Sequence, residues 1–278
     1  MTQAPHRGRV LVLAGSDSGG GAGIQADIKT ITALGGYAAT AITAVTVQNT
    51  LGVSAVHPIP LEIVEAQARA VLDDIGADAF KTGMLGDAAT VEVVARVLDG
   101  ARGVPAVIDP VMVAKGGASL LAGPAVGALK SLLVPRAALL TPNAPEAAAL
   151  TGLVVETTDD LRRAGEALLD LGAHAVLMKG GHVLNGEGGG ERVIDLLITR
   201  QGETAFEGER IDTRHTHGTG CTLASACATG LAQGLTLTES VARAWNYVHE
   251  AMLRAPGFGA GHGPLDHAWP FRGEEGRR

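Results

Sequence analysis

Short runs of Val, Ile and Leu alternate along the chain with longer, Ala-rich segments whose apolar residues recur at helical spacing. The short runs predict buried strands, and the longer segments predict amphipathic helices. We predict strands at residues 9–15, 40–48, 79–82, 106–109, 138–141 and 175–179. We predict helices at residues 23–34, 61–75, 88–99, 124–133, 145–151 and 158–171.

This alternation of strands and helices indicates right-handed β-α-β units. The expected fold class is α/β, a three-layer αβα sandwich with a mostly parallel central sheet and helices on both faces. Two later apolar runs, at residues 192–199 and 203–210, predict a hairpin that adds antiparallel strands. Since no linker, charge block or repeat divides the sequence, we expect one domain over residues 1–278.

Composition excludes several classes of protein. The 278 residues carry a net charge of −7 and contain no long run of Lys or Arg, which argues against a nucleic-acid partner. The apolar run at residues 10–14 is too short for a signal peptide, and no span of membrane length follows, so no membrane partner is expected. The two cysteines, Cys221 and Cys227, are too few for a disulfide framework, which favours a cytoplasmic location.

Polar residues follow each predicted strand at its carboxyl end. They are Asp17, Gln48 and Asn49, the segment 81–83, Asp109, Asn143, and Lys179 with the segment 180–182. In an open parallel sheet, ligands bind outside the carboxyl ends of the strands. The sequence therefore predicts that these residues meet in one crevice.

The segment from His215 to Thr222 combines two glycines, hydroxyl residues and a cysteine just before a predicted helix. Unpaired N–H groups at a helix start attract anions, so Gly218, Thr219 and Gly220 are candidates to hold a phosphate. Cys221 would lie in the first helical turn, where a thiol is acidified and can act as a general base. The alternative is an ordinary helix start with a buried structural cysteine.

A glycine-rich segment from Gly15 to Asp27 follows the first strand. Its spacing matches neither the dinucleotide fingerprint nor the P-loop. A flat ligand could rest on its backbone, with Asp27 offering a carboxylate to ring substituents. Gln48 can both donate and accept at the edge of a heteroaromatic ring. Met84 either lines an apolar slot or packs in the core.

Asp109 and Glu146 are candidate magnesium ligands, because Mg²⁺ prefers a few carboxylates together with phosphate oxygens. For Glu146 the alternative is a carboxylate that favours the helix dipole. Lys179 is suited to neutralising a transferred phosphate. The segments 115–117 and 186–190 are glycine-rich and predict flaps that close during transfer.

His215, His217 and Cys221 also raise two other possibilities. A zinc site lacks a second Cys/His pair to complete tetrahedral coordination. A Cys–His hydrolase would leave the acidic residues and the separate glycine-rich segment without a role.

Taken together, the motifs resemble the hydroxymethylpyrimidine/phosphomethylpyrimidine kinases of thiamine biosynthesis, which belong to the ribokinase-like superfamily. The resemblance runs from about residue 9 to residue 265. It rests on the segments 15–27, 48–50, 81–85, 141–146, 179–182, 215–222 and 259–264.

The resemblance implies an ATP- and Mg²⁺-dependent kinase that phosphorylates 4-amino-5-hydroxymethyl-2-methylpyrimidine, and then the monophosphate to the diphosphate. It assigns Cys221 as the base and the preceding Gly-Thr-Gly as the anion hole. The implied pyrimidine-binding positions are Gly15, Asp27, Gln48, Met84 and Val111. The implied positions for nucleotide, phosphate and metal are Asn143, Glu146, Lys179 and Thr216.

Relatives with this pattern also suggest a homodimer, and residues 272–278 are expected to be a disordered tail. The nearest alternative is a pyridoxal kinase, since its substrate is a similar hydroxymethyl heteroaromatic. A nucleotide-binding oxidoreductase is disfavoured by the glycine spacing. A catalytically silent pyrimidine-binding regulator is disfavoured by Cys221 and the intact anion loop.

Overall fold

The structure is a computed structural model that describes residues 7–113, 117, 120, 123–183 and 190–272. Its strands are β1 Arg9–Asp17, β2 Tyr37–Asn49, β3 Gly52–Pro58, β4 Ala79–Thr82, β5 Ala106–Ile108, β6 Leu139–Leu140, β7 Ala175–Met178, β8 Arg192–Thr199 and β9 Gly202–Glu209. Its helices are α1 Gly23–Ala33, α2 Leu61–Asp74, α3 Ala88–Gly100, α4 Gly123–Ala128, α5 Ala144–Thr151, α6 Thr158–Asp170, α7 Thr219–Ala232 and α8 Leu237–Leu253.

Within the described residues, nine strands form one sheet in the order β3-β2-β1-β4-β5-β6-β7-β8-β9. The strands from β2 to β7 in this order are parallel. β3 pairs antiparallel with β2 at one edge, and the β8–β9 hairpin continues the other edge in antiparallel pairing. The predicted mostly parallel sheet and the predicted hairpin are therefore confirmed.

The core consists of two apolar layers, one on each face of the sheet. Alternate side chains of β1 and β4 enter opposite layers: Leu11 and Phe80 contact the layer of α2 to α6, while Val12 and Ala79 contact that of α1, α7 and α8. Side chains alternate between the faces of a strand, and a parallel strand with helices on both sides is apolar on both. This is the expected three-layer αβα sandwich.

Several elements differ from the sequence prediction, among them β2, which begins at Tyr37 instead of residue 40, and two elements were not predicted. The helix expected at residues 124–133 is the short α4, followed by a π-helical turn at Leu129–Leu133 and a 3-10 turn at Val134–Arg136. β1 continues two residues beyond the predicted end, to Asp17. β3 and α8 were missed, although Thr236 and Glu239 form a capping box that marks the start of α8.

Two further observations concern the limits of the chain and its helices. Residues 115–116 and 186–189 of the predicted flaps, and residues 273–278 of the predicted tail, lie outside the described residues. Among the helices that the structure describes, none combines the length and apolar character needed to cross a bilayer.

Asp195 on β8 is a buried carboxylate next to the turn that follows β7. It accepts a hydrogen bond from the backbone N–H of Gly180 at 2.7 Å. Burial raises the pKa of Asp195 to about 6, against the opposing effects of that N–H, Lys179 and the Trp245 indole. Ionisation of Asp195 is therefore less favourable in the folded protein than for an aspartate in water.

We expect Leu140→Ala to lower the free energy of unfolding by about 2–5 kcal/mol, because the substitution leaves a cavity at a fully buried site in the centre of the sheet. Urea denaturation monitored by circular dichroism measures this change. Leu153→Ala is the matched control, because Leu153 is 41% exposed and its removal should cost far less. Equal losses in the two variants would contradict the layer assignment.

A second prediction concerns pH. The stability that Asp195 contributes is present below its unfolded pKa of 3.8 and is lost as pH rises through about 6, because its folded pKa is raised. Asp195→Asn should therefore gain stability relative to the wild type as pH rises from about 4 to 6, by up to roughly 2–3 kcal/mol. Urea unfolding of both proteins at several pH values tests this. A stability difference that does not vary with pH would refute it.

Candidate active site

A cavity of about 1670 Å³ opens at the carboxyl ends of the parallel strands. Thirteen of the fourteen predicted site residues line it, and Asp27 is the exception. The lining residues are Gly15, Gln48, Met84, Asp109, Val111, Asn143, Glu146, Lys179, Thr216, Gly218, Thr219, Gly220 and Cys221. The convergence expected from the strand ends is therefore present.

The start of α7 forms the floor of this cavity. Gly218 precedes the helix with a φ of +85°, and none of the described side chains caps the helix start. A Cβ at Gly218 would overlap the carbonyl oxygen of Gly21, so only glycine lets the two loops pack together. An uncapped helix start that faces a cavity provides N–H groups and a positive dipole end for an anion.

Asp17, the last residue of β1, organises the glycine-rich loop. Its carboxylate accepts the backbone N–H groups of Gly19, Gly21 and Ala22 at 2.8–3.1 Å and lies 2.9 Å from Nε2 of His217. Burial raises the pKa of Asp17, but these hydrogen bonds outweigh it and leave the pKa below the ordinary value. The sequence identified Asp17 as a strand end without giving it this role.

One end of the cavity is a narrow slot beside β1 and β2. Gly15 packs directly on the Met84 side chain, and a Cβ at Gly15 would strike the methionine methyl group. The Gln48 side chain lies 3.2 Å from His217 Nε2 and 3.1 Å from the Thr46 hydroxyl. A flat ring in this slot would meet an apolar wall and one fixed amide, a combination typical of small-molecule sites.

Asp27 lies outside the cavity, contrary to the prediction that it contacts substrate. Its side chain is fully buried and accepts Lys81 Nζ at 2.8 Å and the Ser225 hydroxyl at 2.7 Å. Ile24 and Ile31 flank it at spacings of three and four residues, which places Asp27 on the buried face of α1. This spacing was available in the sequence and points to burial.

The other end of the cavity is charged. Lys179 Nζ lies 3.1 Å from Asp109 and 3.7 Å from Glu146. These two carboxylates raise the pKa of Lys179 in spite of its burial. Burial, with Asp109 nearby, raises the pKa of Glu146 to about 6, although Lys179 opposes it. Glu146 also forms a capping box with Asn143 at the start of α5, which is the helix-start role that the sequence offered as its alternative.

Asp109 and Glu146 can supply only some of the ligands that a magnesium ion needs. Among the described residues, no three His, Cys, Asp or Glu side chains are arranged to hold a metal ion. Two carboxylates nevertheless fit Mg²⁺, which keeps several waters and takes phosphate oxygens as further ligands.

Cys221 lies in the first turn of α7, as predicted, and is partly exposed. The expected acidified thiol is not found. Burial raises the pKa of Cys221 to about 11; Asp27 and Asp109 add to this, and Lys81 opposes it. Desolvation therefore outweighs the helix start in the ligand-free protein.

Further cavity residues lie on elements that the sequence did not connect with the site. Asp195 lines the cavity from β8. Trp245 and His249 line it from α8, with stacked rings whose centroids are 5.4 Å apart. The sequence analysis missed these three residues because it did not predict α8 and did not connect the β8–β9 hairpin with the cavity at the carboxyl ends of the parallel strands.

Comparison with known proteins gives one family. The family model described as phosphomethylpyrimidine kinase matches residues 17–266. A hydroxymethylpyrimidine/phosphomethylpyrimidine kinase of Streptomyces coelicolor is 50% identical, with 94% of each chain covered. The thiamine biosynthesis bifunctional protein ThiED of Geobacter sulfurreducens is also 50% identical over 94% of this chain, which spans 52% of that protein's length.

Solved structures show the same fold. A phosphomethylpyrimidine kinase from Clostridium difficile has a TM-score of 0.77 and 40% identity, covering 87% of this chain and 98% of its own. An ADP complex of Bacillus subtilis pyridoxal kinase has a TM-score of 0.86 and 35% identity, covering 94% and 98%. The ribokinase-like fold is thereby confirmed. With the family match over most of its length, this chain belongs to the phosphomethylpyrimidine kinase family of phosphotransferases.

Proposed function

We propose that this protein transfers the γ-phosphoryl group of ATP to the hydroxymethyl group of 4-amino-5-hydroxymethyl-2-methylpyrimidine. It then phosphorylates the monophosphate to the diphosphate, a step of thiamine biosynthesis. The observation that carries the proposal is the continuity of one cavity. A flat slot and a charged end are joined by the start of α7, with Cys221 on it.

The slot provides recognition of the pyrimidine. Gly15, Met84 and Val111 supply apolar and backbone surface, and Gln48 supplies the hydrogen-bonding group for the ring edge. Asp17 and His217 hold the adjoining loops in place through their 2.9 Å contact. A slot fixed in this way orients the hydroxymethyl group before transfer, which is the main requirement of phosphoryl transfer.

The charged end provides for the phosphates. Lys179, Asn143 and Thr216 line this part of the cavity and would meet the nucleotide, and the backbone at Gly218, Thr219 and Gly220 would stabilise the transferred group. A side chain on Gly220 would crowd the space beside Lys179 and Asp109. Asp109 and Glu146 would hold Mg²⁺, which when bound neutralises phosphate charge.

Cys221 is the proposed base, and its active form is the thiolate. The thiolate takes the proton of the substrate hydroxyl as the oxygen bonds to phosphorus and ADP leaves with the bridging oxygen. Since the pKa of Cys221 is about 11, the thiolate is scarce at neutral pH. Proton transfer late in a loose transition state makes this workable.

The first test is ADP release with ATP and Mg²⁺. The pyrimidine alcohol, its monophosphate and pyridoxal would be offered side by side. Turnover of both pyrimidines with slow turnover of pyridoxal is expected. Pyridoxal is included because several neighbouring structures are pyridoxal kinases, one of them in complex with pyridoxal. Turnover of pyridoxal alone would reject the pyrimidine assignment.

Cys221→Ala should lower kcat by about 10²–10⁴-fold while KM for the pyrimidine changes little, because the thiolate acts on the hydroxyl proton. Wild-type kcat should also rise with pH from about 7 to 9, and the variant should lose that rise. Cys227→Ala is the matched control, since Cys227 is buried on the same helix outside the cavity. Equal losses of kcat and pyrimidine affinity in Cys221→Ala would contradict the base role.

We also infer that the protein is a homodimer joined through β2 and β3. This end of the sheet is an open edge that exposes Val45, Val47 and Leu51 to 44%, 59% and 71%. Natural proteins cover such edges, and a second copy of the same chain would bury the exposed apolar side chains.

Sedimentation equilibrium should give twice the monomer mass for the wild type. Val47→Glu should give a monomer, because the added charge cannot be buried in an apolar interface. Val154→Glu is the control, since Val154 is 70% exposed after α5 and away from this edge. A wild-type monomer, or a dimer that survives Val47→Glu, would overturn the inference.

A further inference from the structure

A fully buried ion pair lies beneath the cavity floor. Lys81 on β4 and Asp27 on α1 are both 0% exposed, with 2.8 Å between Nζ and Oδ1. Neither side chain lines the cavity. Replacing a buried ion pair with apolar residues is often neutral or stabilising, so folding stability alone gives little reason for the pair.

The pair lies under the first turns of α7. Side chains of β4 alternate between layers, so Lys81 faces the same layer as Ala79, which contains α1 and α7. Ser225 donates its hydroxyl to the same Asp27 oxygen that accepts Lys81. Ser225 follows Cys221 by four residues, so both lie on one face of α7, one turn apart.

The surroundings hold the Lys81 ammonium in place. A Cβ at Gly83 would lie 3.0 Å from Lys81 Nζ, so glycine leaves the ammonium its space. The second carboxylate oxygen of Asp27 is buried and has no hydrogen-bond partner among the described residues. Asp27 and the other nearby charges raise the pKa of Lys81 in spite of its burial, so the Lys81 side chain keeps its positive charge.

Four charged groups act on the Cys221 thiol. Lys81 from β4 and Asp27 from α1 act most strongly, followed by Asp109 after β5. Lys179 after β7 also interacts with the thiol. Lys81 favours the thiolate, whereas Asp27 and Asp109 disfavour it. Lys81 is thus the cation with the largest effect on Cys221.

We propose that Lys81 is a positioning residue for Cys221: its buried ammonium, held by Asp27, which Ser225 holds in turn, stabilises the thiolate and sets the pH at which the base becomes available. The inference rests on the proposed function only for its consequence in catalysis. The effect on the thiol exists in the ligand-free protein and can be measured without turnover.

The experiment uses the full chain with Cys227→Ala, which leaves Cys221 as the single thiol. The rate of alkylation by iodoacetamide, measured from pH 7 to 10, reports the thiolate fraction. Adding Lys81→Met should slow alkylation at pH 8 by about 10- to 100-fold. Adding Asp27→Asn should accelerate it, because a charge that opposes the thiolate is removed.

The two substitutions should change the alkylation rate in opposite directions, and this distinguishes an electrostatic role of Lys81 from a purely structural one. Loosening of the helix start would expose the thiol and speed alkylation in both variants. If Lys81→Met does not fold, Lys81→Met with Asp27→Leu replaces the pair by apolar groups, and its rate should still fall below that of the parent. Lys130→Met, in the opposite helical layer, is the matched control and should match the parent rate.

An unchanged or faster alkylation rate in a folded Lys81 variant would overturn the proposal. ADP release is measured on the same proteins, and kcat of the Lys81 variant should fall while its rise with pH persists to higher pH. If the parent releases no ADP with any pyrimidine, the proposed function fails, yet the alkylation rates still decide the role of Lys81.

Discussion

The contact between the start of α7 and the loop after β1 is the interaction on which the rest of the site depends. Gly218 packs against the Gly21 carbonyl, His217 meets Asp17 at 2.9 Å, and Ser225 reaches Asp27 at 2.7 Å. These links join residues about 200 positions apart in the chain. Without these links the cavity would lose its floor, which is the start of α7, and the wall of its slot, which the loop after β1 forms.

The contact also separates two groups of charged residues, each of which contains both a lysine and its carboxylate partners. Lys179, Asp109 and Glu146 line the cavity, where phosphates and water can reach them. Lys81 and Asp27 are enclosed below the helix, where no solvent screens them. The first group can rearrange when ligands bind, whereas the second acts as a fixed field on the residues above it.

The sequence was sufficient for the architecture because the strands of the parallel sheet are continuous apolar runs, and because strand ends are marked by polar or glycine residues. It was insufficient at β3, whose side chains are mostly exposed and carry no buried pattern. Asp27 was misplaced because its position after the glycine-rich loop suggested a ligand contact, although its spacing from Ile24 and Ile31 pointed to the buried face, where it contacts Lys81 and Ser225.

The high pKa of Cys221 could not be predicted from the sequence either. A helix start and nearby hydroxyl residues suggest acidification, but the degree of desolvation depends on how α1, β4 and α7 pack. The prediction was correct about the position of the thiol and wrong about its resting charge. Local sequence determines where the thiol lies, and the three-dimensional environment determines whether it is ionised.

The protonated state of Cys221 has a consequence for chemical durability. Peroxides and electrophiles react with thiolates, so a cysteine with a pKa of about 11 is largely protected from oxidation to sulfenic acid in the resting protein. Cys227 is fully buried and is protected by inaccessibility as well. A protein built in this way can retain a reactive side chain in an open cavity through periods of oxidative stress.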